Sequence, residues 1–530
     1  ASERQRFIEK AHFGRKSAAT STSGMAICTH PLAVREAVEI MKKGGNAADA
    51  ALAACITQTV VEPHMTTITG CLSLLYYDAA TGKTTYLNGN VNAPLEPLPG
   101  FSAADLATGR GVAVPGWWAG FEAGVGRHGT LPKKDILAGA IRYAREGFET
   151  HPFLWGEIFA QCHLIGRTPE GREIYLPQMA LPRPGEMLYQ RRAADTLERL
   201  AEEGNDYFYH GDLAKNLVAT VRDAGGVLSR EDFERYTVRW QEPAWSTYRG
   251  YRVAGSPPPD NGGTHILEML NMVELLDLQK LGPPSDSGET LFQMSRISTE
   301  VYSAGARQND PASHPLPLET ILSKEYARMR FDLLQMGDPK PSSADGPPPL
   351  GSNHVTVVDG RGNVATILHS CMSLPWSNGL FVDGISICAA GAHFLRVMPK
   401  PGHRISAYVA PNIVFKNDRP VLASGSPSVS LLQNIFQNTV NILDFGVPIE
   451  ESVHRPRFGG NSYTTEGAIL IEADVNAGAR EAAAAKGIRF EIVNPWNWNH
   501  GSFEGIYIDP VTGERRACGD PRRTAQAEGA

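Results

Sequence analysis

The stretch from Gly337 to Gly351 reads GDPKPSSADGPPPLG, and it constrains this chain more than any other segment. Proline removes a backbone donor and fixes its own φ, so a run this rich in Pro, Gly and Ser cannot be threaded through a packed core. It reads as an exposed linker, the kind of segment in which a chain tolerates a cut. The pattern changes immediately afterwards. His354 to Val358 and Asn363 to Leu368 are rich in β-branched residues and flank the turn Asp359-Gly360-Arg361-Gly362, which predicts a hairpin. Its first strand begins just behind Ser352, so a hydroxyl stands between a segment that can be opened and a strand that must be held.

Upstream, Leu32, Val34, Ala37, Val38, Ile40 and Met41 fall at helical spacing between Pro31 and Lys43, and Gly44-Gly45 ends that helix. Asn46 caps a second helix from Ala47 to about Val61, apolar on most faces and therefore expected to be buried. Leu72 to Tyr77 and Thr84 to Leu87 predict two strands joined at Thr81-Gly82-Lys83. Residues from about Pro115 to Phe148, and from about Leu213 to Leu281, are expected to be largely helical. Downstream, strands at Asn412 to Phe415 and Val421 to Ala423 lead through Gly425-Ser426-Pro427 to a helix from about Ser430 to Leu443. Strands on both sides of the linker predict one α/β unit built jointly by segments 1–351 and 352–530.

Composition removes several function classes. At 530 residues, with 42% hydrophobic and 20% charged residues, the chain is long and apolar enough for a sizeable core. A formal charge of −7 with no basic stripe argues against nucleic-acid binding. The longest apolar stretch, Ala47 to Val61, contains Asp49, Thr57 and Gln58 and falls short of the roughly 18 to 20 apolar residues of a membrane span. Seven cysteines, an odd number without CxxC spacing, argue against a disulfide framework and a zinc site, so neither metal nor cofactor is expected. Unpatterned thiols and an opening without a charged-then-apolar leader give a cytoplasmic expectation, with removal of a leader ahead of residue 1 as the alternative.

Five blocks carry a resemblance along nearly the whole chain. They are GGNAADAALA at Gly44 to Ala53; VPGWWAGFEAGVGRHGTLP at Val114 to Pro132 with AREGF at Ala144 to Phe148; and FYHGDLA, DAGGVLSREDFERY and YRGYRVAGSPPPDNGGTHILEMLN between Phe208 and Asn271. SNHVTVVDGRGNVATILHS at Ser352 to Ser370 and CGDPRR at Cys518 to Arg523 complete the set. In this order they resemble the γ-glutamyltransferases. The resemblance implies the αββα sandwich of N-terminal-nucleophile hydrolases, a precursor that cuts itself between Gly351 and Ser352, and two fragments that stay associated, with a homodimer of the pair allowed.

The chemistry explains why the nucleophile must follow the cut. A serine hydroxyl needs a base, and a newly exposed α-amine with a pKa of roughly 7.7 to 8.0 lies within its own reach. Gly351 removes bulk where the hydroxyl must attack the preceding carbonyl. In most relatives the nucleophile is threonine, and serine keeps the hydroxyl. The resemblance gives Ser370 the task of holding the terminal amine, and gives the oxyanion to two backbone N–H groups that here belong to Ser428 and Val429 where relatives carry a glycine pair. His354 is expected to be a packed strand residue rather than a base.

The γ-glutamyl clamp is where the resemblance breaks. Asn90 stands at the position of an arginine, Ala407-Tyr408 at paired serines, Met372 at an asparagine, and Ile385-Ser386-Ile387-Cys388 at an acidic segment. Loss of charge-assisted contacts worth about 1.5 to 3 kcal/mol each predicts poor binding of a zwitterionic glutamyl group. A pocket lined by Met372, Ile387, Cys388 and Tyr408 suits another acyl group. The expectation is therefore a hydrolase of a small-molecule amide or other activated acyl compound. Cleavage of a carbon–carbon bond beside a carbonyl, a γ-glutamyl enzyme with a remodelled clamp, and an uncut binding protein are the alternatives.

Overall fold

The computed structural model describes residues 14–305, 310–312, 315, 317–338, 351–460 and 468–530, so the linker from 339 to 350 lies outside the described residues. Two seven-stranded antiparallel sheets form the centre. The first runs in the order Ala18–Ser21, Arg515–Cys518, Ile506–Ile508, Arg419–Ser424, Asn412–Lys416, Tyr251–Gly255, Ala244–Tyr248. The second runs Gln526–Gly529, Met25–Cys28, Asn353–Val358, Val364–Ser370, Cys71–Asp78, Lys83–Gly89, Arg239–Gln241. Both sheets mix strands from before and after Gly351.

Alternation along the strands sorts their side chains into layers. Met25, Ile27, Leu75, Val358 and Val364 of one sheet meet Ala254, Ile413, Phe415, Ala423 and Ile506 of the other in a shared apolar cluster. The outer face of the second sheet is covered by the helices Pro31–Lys42 and Ala47–Val61, and that of the first by Gly262–Val273 and Leu431–Leu443. This is the αββα sandwich. The helix Ala47–Val61 is buried at every position but Thr59, and Asn46 and Asp49 close its first turn with a reciprocal capping box.

The expectation of mostly helix between Leu213 and Leu281 fails from Arg239 to Gly255, which forms three strands. Arg249 and Gly250 both have positive φ, 49° and 82°, and turn the last two strands into a tight hairpin. Alternating Trp245, Thr247, Tyr251 and Val253 around that turn carried a strand signal, which the helical stretches on either side obscured.

Close approach between the sheets is purchased with glycine at one point. A Cβ on Gly425 would lie 2.0 Å from the imidazole of His354, which is fully buried and bonded through Nε2 to Thr366 Oγ1 at 2.7 Å. His354 is thus a packed strand residue, as expected. Gly425→Ala should lower stability by about 1 to 3 kcal/mol, read as a fall in unfolding midpoint, because the ring sits between two sheets and cannot retreat.

Candidate functional site

Ser352 immediately precedes the strand Asn353–Val358, which is paired on one side with Met25–Cys28 and on the other with Val364–Ser370. A strand held on both edges cannot slide, so the position of Ser352 is set by the sheet. From the opposing sheet, the loop after Arg419–Ser424 brings the Ser428 N–H to 3.1 Å from Ser352 Oγ. Ser428 has φ 84°, in the left-handed region that favours glycine. The serine that replaces a glycine here therefore keeps the torsion and accepts its strain.

The bond ahead of Ser352 is held equally closely. The Ser370 hydroxyl donates to the Gly351 carbonyl oxygen, and the Gly351 N–H donates to the Ser373 carbonyl at 2.9 Å. In the uncut chain Ser370 thus engages the carbonyl that would be attacked, while the resemblance assigned it to the amine that forms afterwards. A Cβ on Gly351 would meet Cys371 Sγ at 2.2 Å and the Ser373 carbonyl oxygen at 2.7 Å. Glycine is required there by the Cys371 thiol, a reason the sequence did not disclose.

A cavity of about 40 Å³ opens at Ser352, and its lining includes Ser370, Met372, Ala407, Tyr408, Ser428 and Val429. The residues singled out around the junction and the oxyanion site, Gly351 among them, therefore converge. Asn90, Cys388 and Ile387 do not. Asn90 donates through Nδ2 to Asp260 Oδ1 at 2.7 Å, and Asp260 also accepts from Tyr86 and Ser73, so that position is committed to holding a buried carboxylate. Cys388 turns its thiol to the Cys371 carbonyl at 2.8 Å, and Ile387 belongs to the apolar layer with Trp376 and Phe381. None of the three lines the cavity, and the apolar wall at Ser352 includes Leu368, Val409 and Leu431 instead.

Beneath Ser352, on the helix side of the sheet, lies a buried polar network that sequence reasoning missed. Asn353 donates to Glu62 Oε2 at 3.1 Å and accepts from Thr29 Oγ1 at 2.9 Å, and Gln58 Nε2 donates to the same Glu62 oxygen at 2.9 Å. Trp117 Nε1–H can only donate and reaches His369 Nδ1 at 3.1 Å, so His369 carries its proton on Nε2 and gives it to Gln58 Oε1 at 2.7 Å. Burial depresses the His369 pKa to about 3, with His354 adding to it, and the ring is neutral. Burial also raises Glu62 to about 7, against the bonds from Thr29 and Gln58 and the nearby Arg523. These residues come from four separated segments, and no local motif marks them.

Two helix-flanked sheets with a hydroxyl residue leading a central strand define the N-terminal-nucleophile hydrolases. The family model for gamma-glutamyltranspeptidase matches residues 33–530, and the chain belongs to that family. It is 30% identical over 508 residues to the acylase ACY 1 proenzyme of Pseudomonas sp. (strain SE83), covering 89% of this chain and 88% of that one. It is 28% identical over 485 residues to the glutathione hydrolase proenzyme of Bacillus subtilis (strain 168), covering 83% and 81%. Cephalosporin acylase from Bacillus halodurans matches its structure with a TM-score of 0.86 at 27% identity over 98% of both chains. The chain is a self-processing hydrolase of this class.

Two outcomes follow from the geometry. Ser428→Gly should keep self-cleavage within about threefold and leave stability unchanged or up to about 1 kcal/mol higher, since left-handed strain of about 1 to 2 kcal/mol is exchanged for glycine entropy; unfolding midpoints and a cleavage time course measure both. Glu62 binds its proton more tightly folded than unfolded, so its contribution to stability is complete below the unfolded pKa near 4.3 and is lost as pH rises through about 7. Thermal midpoints between pH 4.5 and 7.5 should therefore fall less steeply with pH in Glu62→Gln than in the parent protein.

Proposed function

We propose that Ser352 is the residue that opens the Gly351–Ser352 bond and then serves as the nucleophile of an amide or acyl hydrolase whose substrate is not γ-glutamyl. The observation that carries this reading is the joint placement of Ser352 Oγ against the Ser428 N–H, with the Gly351 carbonyl held by Ser370, at one cavity.

In the first reaction Ser352 Oγ adds to the Gly351 carbonyl carbon, whose oxygen Ser370 polarises. Collapse breaks the C–N bond as the proton lost from Oγ passes to the departing nitrogen, leaving an ester on Oγ and a free α-amine on Ser352. Water then hydrolyses the ester and releases Gly351 as a carboxylate. Before this step the Ser352 nitrogen belongs to a peptide bond and is no base, so cutting creates the catalyst. With Gly351 gone, the Ser370 hydroxyl is released to face the new amine.

In the second reaction the amine takes the Oγ proton as Oγ attacks the substrate carbonyl. The oxyanion is stabilised by the backbone N–H groups of Ser428 and Val429, the amine passes the proton to the leaving group, and water resolves the acyl-serine. Among the described residues, no charged side chain lines the cavity. A substrate carboxylate and ammonium would lose water there without gaining partners, which disfavours a glutamyl group. Strands on either side of the cut interleave in both sheets, so the fragments stay together.

On a denaturing gel the parent protein should run as two pieces that meet at Gly351/Ser352, Ser352→Ala should stay whole, and Ser352→Thr should cut and turn over. A parent protein that stays whole, or an alanine variant that hydrolyses substrate, would remove Ser352 from this role. Turnover of a γ-glutamyl anilide comparable with that of uncharged acyl anilides would overturn the reading of the pocket.

A further inference from the structure

Two polar side chains in the Ser352 cavity, Tyr408 and His393, have no part in either reaction. His393, on the short helix Gly391–Arg396, lines the cavity with Ser352, Met372 and Tyr408 and is 7% exposed. Its Nδ1 has no hydrogen-bond partner. Burial, and after it the neighbouring Arg396, pushes its pKa down to about 3 against a backbone hydrogen bond with Met372, so the ring stays neutral. A neutral imidazole offers one N–H and one lone pair.

The hydroxyls of the two serines beside Ser352 are engaged. Ser370 donates to Gly351, and Ser428 Oγ donates to the Asn499 carbonyl at 3.1 Å. The remaining wall near His393 is apolar: Leu368, Met372, Ala407 and Val409. An unpaired buried ring nitrogen costs about 1 to 3 kcal/mol, a cost a ligand group would remove. The cavity of about 40 Å³ holds about three water-sized groups by the same measure, which limits an acyl chain to a few atoms.

Building on the assignment of Ser352 as the acylated residue, we propose that His393 is a specificity-determining residue that hydrogen-bonds an uncharged polar group, such as a hydroxyl, on a short acyl chain. With its N–H given to the Met372 backbone, the ring acts as a fixed acceptor through Nδ1 rather than as a base. Its side chain replaces, with one neutral contact, the charged clamp that the pocket lacks.

The test uses full-length protein and a matched pair of p-nitroanilides, propionyl and 2-hydroxypropionyl. The parent protein should favour the hydroxylated substrate in kcat/KM by at least about tenfold. His393→Leu should bring that preference to within about twofold while leaving self-cleavage and propionyl turnover near parental levels, and His393→Asn should restore part of it. A preference that persists in the leucine variant, equal loss on both substrates, or no preference in the parent would overturn the inference. So would a fully cut parent protein that hydrolyses neither compound. A parent protein that stays whole, or turnover that survives Ser352→Ala, would instead sink the assignment of Ser352.

Discussion

The two-sided pairing of Asn353–Val358 is the constraint on which the rest depends. Hydrogen bonds to Met25–Cys28 and to Val364–Ser370 fix that strand from both edges, and Ser352 inherits its position. The partner N–H of Ser428 arrives from the other sheet, so the separation between hydroxyl and donor is a property of how the two sheets pack. A small residue such as Gly425 where the sheets meet matters for the same reason: it lets them approach. The cut needs no rearrangement of this frame, because the ladder begins after the bond that opens.

Around this frame, the described lining of the cavity at Ser352 carries no charged side chain. The cavity wall carries hydroxyls, backbone and one neutral imidazole. Across the sheet, Glu62 is buried against Thr29, Gln58 and Asn353, and Arg523 stands close by. Such a division suits an acyl enzyme whose oxyanion is stabilised by fixed backbone dipoles, since dipoles already oriented in a low-dielectric site need not reorganise when charge develops. Two positions that the resemblance matched to the clamp are occupied otherwise: Asn90 donates its amide to Asp260, and Cys388 turns its thiol to the Cys371 carbonyl. Similarity to both an acylase proenzyme and a glutathione hydrolase proenzyme leaves that distinction to the residues of the pocket.

Much of this was legible before any coordinates. Residue spacing marked the helices Pro31–Lys42 and Ala47–Val61, the hairpin after Ser352 and the strands near 412 and 421, because the 3.6 and 2.0 periodicities are local consequences of backbone geometry. The linker, the hydroxyl that follows it and the ordered family blocks pointed to a self-cutting hydrolase. The strands between Arg239 and Gly255 were obscured because short strands carry few residues of pattern, and neighbouring helical periodicity outweighs them.

Sequence alone determined the class and supplied the proposals of a junction at Gly351/Ser352 and a lost clamp, since each is written in residue identities over a few neighbouring positions. Only the tertiary structure decided which substitutions face the cavity, why Gly351 is glycine, that Ser370 grips the carbonyl in the uncut chain, and that His393 stands in the pocket. Those facts depend on contacts such as that between Ser352 and Ser428, 76 positions apart. Distances of that kind are set by the packing of two sheets, to which no local periodicity gives access.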